Sequence, residues 1–165
     1  MSTIEDQKQF LVIKEFKSIL VASPFADGKY WYLREDLRWS SISGDQHIVP
    51  KGFVTDFASI PRPLWSLLPK WARYGNAAVV HDYNYWVQEH DRKAADSAMV
   101  EGMRDLGVGA LTRGTIYFFL RVFGGWAWRG NRKKREAGKV RVISEYPTNP
   151  LETWQSFQER MASPE

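Results

Sequence analysis

The chain has 165 residues, 44% of them hydrophobic and 25% charged, and no cysteine. That length fits one compact domain with a sizeable core, and the hydrophobic fraction excludes a disordered chain. The missing thiols exclude disulfides, iron–sulfur clusters, cysteine-based zinc sites and cysteine nucleophiles, and a three-histidine metal site would need His47, His81 and His90 together.

The net charge of +4 is unevenly spread. Residues 129–141 hold seven Lys or Arg against one Glu, a net +6, which leaves the rest of the chain at −2. The basic character is a local patch. No segment offers the roughly 18 uninterrupted apolar residues of a membrane span. The best stretch, Gly109 to Trp128, is broken by Arg113 and Arg121. The first ten residues lack the basic-then-apolar order of a signal peptide. The expectation is a soluble protein made in a cytoplasm.

In chain order, strands come first. Phe10–Ile13, Lys17–Ala22 and Tyr30–Leu33 are short runs rich in apolar and aromatic residues, separated by turn chemistry at Ala26-Asp27-Gly28 and Ser43-Gly44-Asp45. Between about residues 10 and 60 the pattern predicts an antiparallel meander of three to five strands. Helices follow from about residue 64 to 125. One is expected from Ala77 to Glu89. A second, capped by Asp91, repeats Ala95, Met99, Gly102, Met103 and Leu106 at helical spacing and ends at Gly107 and Gly109. A third should run from about Thr112 to Phe123 and stop at Gly124-Gly125. The basic stretch 129–141 then reads as a hinge before a short tail helix within 150–162. Strands followed by helices make an α+β fold, in one domain over residues 1–165.

His81-Asp82-Tyr83-Asn84-Tyr85 on the first of these helices, with Asp96 on the next, is the most informative cluster. His81 lies about nine residues before the turn near Asp91 and Asp96 about five after it. At a rise of about 1.5 Å per residue, two antiparallel helices bring them within about one turn. Asp96 is then placed to bond one ring nitrogen of His81 and fix its tautomer, leaving the other as a general base. Tyr85 reaches the same carboxylate. Asp82 points to another face, free to bind a cation or cap backbone groups.

Asp56 has two readings: a turn former bonding the amides of Ala58 and Ser59, or a further ligand at the histidine site. Asp56, Asp82, His81 and Asp96 make an oxygen-rich set that suits calcium, magnesium or manganese; recruiting His47 or His90 would suit zinc. Otherwise His47 and His90 read as solvated. Arg62, between two prolines, reads as an ion-pair partner or a substrate contact. The aromatic run ending in Trp126 and Trp128 is either a core helix or an interfacial element. Beside Arg129, Arg132, Lys133, Lys134 and Arg135 it would suit an anionic lipid surface, an acidic protein or, less well, nucleic acid.

Two resemblances carry these residues further. Val49-Pro50-Lys51-Gly52-Phe53-Val54-Thr55-Asp56-Phe57-Ala58-Ser59-Ile60-Pro61-Arg62, continued by Ala77 to Tyr85, Arg92 and Ala95-Asp96, resembles the signature of a domain-of-unknown-function family of phage and prophage genomes. It spans roughly residues 30 to 125 and implies an infected or lysogenic bacterium, possible incorporation in the phage particle, and no established chemistry. Locally, His-Asp-x-x-Tyr followed by Ala-Asp is similar to the catalytic helices of secretory phospholipase A2 enzymes. That resemblance implies His81 as base, Asp96 and Tyr85 as the orienting pair and Asp82 as a Ca²⁺ ligand.

Three functions follow as expectations. The first is a metal-assisted, phospholipase A2-like ester hydrolase at an anionic membrane. The second is a zinc-dependent hydrolase of the cell wall, acting on peptidoglycan of the cell envelope. The third is a non-enzymatic phage particle or accessory protein that docks on other phage proteins through its aromatic and basic C-terminal half.

Overall fold

A computed structural model describes residues 18–42, 44–57 and 74–162. The expected strand Phe10–Ile13, the start of the helical region near residue 64, and Ala58, Ser59 and Arg62 lie outside these residues.

Among the described residues the architecture is α+β, with antiparallel strands ahead of four helices. The strands are β1 (Ala22–Pro24), β2 (Trp31–Leu33), β3 (Leu37–Ser40), β4 (Gln46–Val49) and β5 (Val54–Thr55). The helices are α1 (Gly75–Val87), α2 (Arg92–Asp105), α3 (Ala110–Glu136) and α4 (Trp154–Ala162). The strands form two sheets, not one meander. One has the order β1-β2-β5, all antiparallel, and the other is the hairpin β3-β4, with Trp39 opposite His47.

α1 is the central element. Ala77 to Asp82 are all buried, as are Tyr85 and Trp86, because the sheets cover one side and α2 and α3 the other. Such a helix has no solvent face to spare for polar residues, so His81 and Asp82 are enclosed with partners. Val79, Val80 and Trp86 pack with Leu33, Leu37, Trp39, Val49 and Phe53 from the sheets. Ala77 and Ala78 pack with Met99 and Met103 of α2 and Ile116 of α3. A third cluster, Phe25, Tyr32, Val54, Ile143, Trp154 and Phe157, fixes α4 to the three-stranded sheet.

α2 begins where expected: Asp91 accepts a hydrogen bond from the Ala94 amide at 2.7 Å. α3 departs from expectation. It does not stop at Gly124-Gly125 but continues to Glu136, so most of the basic stretch is helix and not hinge. The reason is a tertiary contact. A Cβ at Gly124 would stand 2.3 Å from the Tyr85 hydroxyl, so the glycine lets α3 lie against α1. At 27 residues the helix is about 40 Å long. Among the described residues no helix is long and apolar enough to cross a membrane.

Candidate functional site

Asp96, completely buried near the start of α2, is the centre of the site. Its Oδ1 lies 3.2 Å from His81 Nε2 and accepts from the Tyr85 hydroxyl at 2.6 Å. Its Oδ2 accepts from Arg92 at 3.3 Å and from Arg121 at 2.8 Å. His81 and Tyr85 are one turn apart on α1 with ring centroids 4.1 Å apart, so both reach one oxygen. Arg92 is one turn before Asp96 and also donates to the carbonyls of Leu120, at 2.9 Å, and Arg121, at 3.2 Å. The network therefore ties three helices through a single carboxylate.

Burial alone would raise the Asp96 pKa, but hydrogen bonds from His81, Tyr85 and Arg121 outweigh it and hold the carboxyl below its ordinary value. Burial, and then the bond to Asp96, push the Tyr85 hydroxyl up, so it stays protonated and donates. An ionised Asp96 accepts the Nε2 proton, which leaves the lone pair of His81 on Nδ1. That Nδ1 is closed to solvent and, among the described residues, has no hydrogen-bond partner. An unpaired polar atom in such a position is costly.

His81 lines a cleft of about 400 Å³. Ile116, Phe119, Leu120, Phe123 and Trp126 of α3 make its apolar side, and Gly124, Ala127 and Gly130 leave room along the same helix. Asp56, Asp82, Lys134 and Arg141 are at its polar side. An apolar wall facing a few converging polar groups suits a ligand with a chain and a polar head.

The expected metal ligands are occupied otherwise. Asp82 accepts from the Thr55 hydroxyl at 2.6 Å, and Thr55 in turn accepts from the Phe57 amide at 3.0 Å. Asp56 faces Arg141 at 4.0 Å, and Asp96 carries four donors. Among the described residues no three His, Asp or Glu side chains are grouped to hold a metal ion. Calcium takes six to eight oxygens and zinc about four ligands, so either ion would need donors beyond Asp56 and Asp82.

The basic and aromatic residues divide into two groups. Arg135 donates to the Trp86 carbonyl at 2.6 Å and to that of Val87, and Arg132 bonds the Gln88 side chain at 3.3 Å. Gln88, in the left-handed conformation that ends α1, donates to the carbonyls of Tyr85 and Trp128. These groups close the end of α1, whose last carbonyls lack helical partners. Trp128 packs edge-on against Tyr85 with centroids 5.1 Å apart. By contrast, Trp126 is 73% exposed at the cleft, and Arg129, Lys133 and Lys134 face solvent. His47 is half-buried and stacks on Trp39, 4.9 Å between centroids, and burial lowers its pKa. His90 is exposed.

Sequence reasoning missed Arg121, Gly124 and Arg141 as site residues, and noted Arg92 without a role. The spacing of Arg92 to Asp96 is a legible helical pair. The other three act across elements far apart in the chain.

No curated protein and no solved structure matches the chain. The matched family model covers residues 31–120, from β2 into α3, and includes Thr55, His81, Asp82, Tyr85, Arg92 and Asp96. With more than half of its length matched, the chain belongs to a family described as protein of unknown function, DUF1353.

Proposed function

We propose that the protein is an ester hydrolase, phospholipase A2-like in its chemistry, in which His81 is the general base. The observation that carries this reading is the division of the His81 ring: Nε2 sits on Asp96 while Nδ1 stands unpartnered in a residue that lines the cleft. Because Nδ1 is closed to solvent as it stands, the step requires a small opening of the cleft wall that admits one water to Nδ1, where the water gives up its proton as its oxygen attacks an ester carbonyl. Asp96 stabilises the imidazolium that forms and keeps the ring in place, and Tyr85 fixes Asp96. General base catalysis of this kind contributes about 10²–10⁴ in rate. As the tetrahedral intermediate collapses, the same Nδ1 returns its proton to the leaving alcohol.

The apolar wall of α3 supports an acyl chain as the part of the substrate held beside the carbonyl. The resemblance of His81-Asp82-x-x-Tyr85 and Ala95-Asp96 to secretory phospholipase A2 supports a phospholipid. Phe118, Val122 and Trp126, all more than half exposed on α3, with Arg129 and Lys133 beyond them, suit an anionic membrane surface. The phage or prophage setting rests on the signature that runs from Val49 to Arg62.

A second reading, a non-enzymatic phage particle protein, is favoured by Arg92 and Arg121, which knit three helices through Asp96 as a structural network would. Release of fatty acid from phosphatidylglycerol vesicles decides between them. The hydrolase releases it and His81→Gln does not. A particle protein releases none, and its partner binding is unchanged by His81→Gln.

A further inference from the structure

We propose that Arg141 is the anion-binding group of the cleft, placed to take the oxyanion of an acyl ester in the role that a divalent ion would otherwise fill. The assignment rests on the reading of His81 as the base of the same cleft.

Arg141 lies beyond α3 in an irregular segment, yet its backbone is fixed. Its carbonyl accepts from the Val54 amide at 2.7 Å, and two residues on, the Ile143 amide donates to Gly52 at 2.9 Å. Between them Val142 bridges Phe53. Gly52 has a φ of +81°, and a Cβ there would stand 2.1 Å from the Ile143 carbonyl oxygen, so this seam closes only on glycine. The segment thus behaves as an added edge to β5, and it delivers Arg141 to the wall of the cleft that holds His81 and Asp82.

The side chain is held but not used up. It is 14% exposed, its guanidinium lies 5.9 Å from the Trp86 ring centre, and its nearest carboxylate oxygen, on Asp56, is 4.0 Å away. Among the described residues its five N–H donors make no hydrogen bond, in contrast to Arg92 and Arg121, whose donors are committed to Asp96 and to backbone carbonyls. A guanidinium in a part-buried cleft is a strong site for a developing negative charge. Asp56 therefore orients a cation that belongs to the protein itself.

The step balances without a further reactant. Water oxygen bonds the ester carbon, and its proton moves to His81 Nδ1. The carbonyl π electrons move to oxygen, where Arg141 donates. The carbon–oxygen bond to the alcohol then breaks, the alcohol takes the proton from Nδ1, and a carboxylic acid remains, which ionises to carboxylate by giving its last proton to solvent.

The test uses the full chain and dodecylphosphonate, whose charged tetrahedral head imitates the oxyanion and whose chain matches the apolar wall. Its binding is measured by calorimetry in EDTA and in calcium, beside fatty acid release from phosphatidylglycerol vesicles. Wild type should bind equally in both buffers. Arg141→Met should bind at least about 10-fold more weakly at an unchanged melting temperature, the loss of a charge-assisted bond. Arg141→Lys, which keeps the charge, should recover part of it and controls for folding. Wild-type binding that needs calcium, or Arg141→Met binding as tightly as wild type, would overturn the assignment. Binding that depends on Arg141 without any fatty acid release would instead sink His81 as the base and leave the anion site standing.

Discussion

Gly124 and Tyr85 meet so closely that a single methyl group on the glycine would come within 2.3 Å of the tyrosine hydroxyl oxygen. The hydroxyl cannot yield without leaving Asp96, which it bonds at 2.6 Å. The packing of α3 on α1 and the fixing of the site are thus one contact. Gly124→Ala should gain helix propensity yet destabilise the protein by about 1–3 kcal/mol through overpacking. It should also lower hydrolysis. Urea unfolding of the variant beside Gly125→Ala, where a Cβ meets nothing within 4 Å, checks it: the second change should be neutral or stabilising.

Asp96→Asn should cost about 3–5 kcal/mol, because Arg92 and Arg121 lose their shared carboxylate in a buried position. The pH dependence follows with a definite sign. The folded Asp96 pKa lies below its ordinary value, so its contribution is fully present above that value and is lost as pH falls through the folded pKa. Unfolding midpoints of the wild type should therefore fall in acid, below about pH 3.9. In Asp96→Asn that part of the acid decline should vanish. An identical acid limb in both proteins would show that other carboxylates govern it.

The basic stretch should separate into structural and surface members. Arg135→Ala removes a cation from the end of α1 and should cost about 1–2 kcal/mol. Lys133→Ala, on the solvent side, should stay within about 0.5 kcal/mol. Binding to anionic vesicles should show the opposite order for Lys133 and Lys134, since only free cations meet the lipid. Thermal melts and vesicle sedimentation on the same samples measure both.

What the sequence made legible was governed by local geometry. The antiparallel turn at Asp91 let helical rise alone bring His81, Tyr85 and Asp96 together, and the three bond as expected. The α+β order followed from strand-like aromatics before Pro50 and helical spacing after Ala77. What was hidden depended on contacts between distant elements. Paired glycines cost a helix about 1 kcal/mol each, so Gly124-Gly125 read as a stop, and only the presence of Tyr85 explains a helix that runs on. Arg121 read as an interruption of an apolar run because its carboxylate is 25 residues away. Asp82 read as free for a cation because its donor, Thr55, lies 27 residues upstream. Arg141 gave no signal within a patch of like charges, since its position comes from a seam with Gly52 and Val54.

Tyr85→Phe isolates one bond of the network. It leaves His81 on Asp96 but removes a hydroxyl that donates to a buried charge, at a cost of about 1.5–3 kcal/mol. Turnover should fall less than with His81→Gln, because Tyr85 positions Asp96 and takes no proton from the attacking water. Chemical denaturation and initial rates, taken together, would expose an error here if the phenylalanine variant were as inactive as the glutamine variant while equally stable to wild type.

The most direct test of His81 as the base is fatty acid release from phosphatidylglycerol vesicles by wild type and His81→Gln, with circular dichroism to establish that the variant is folded. The expected result is release by wild type and a loss of about 10²–10⁴ in rate for the folded variant. Equal rates for the two proteins, or a wild type no faster than vesicles alone, would contradict it.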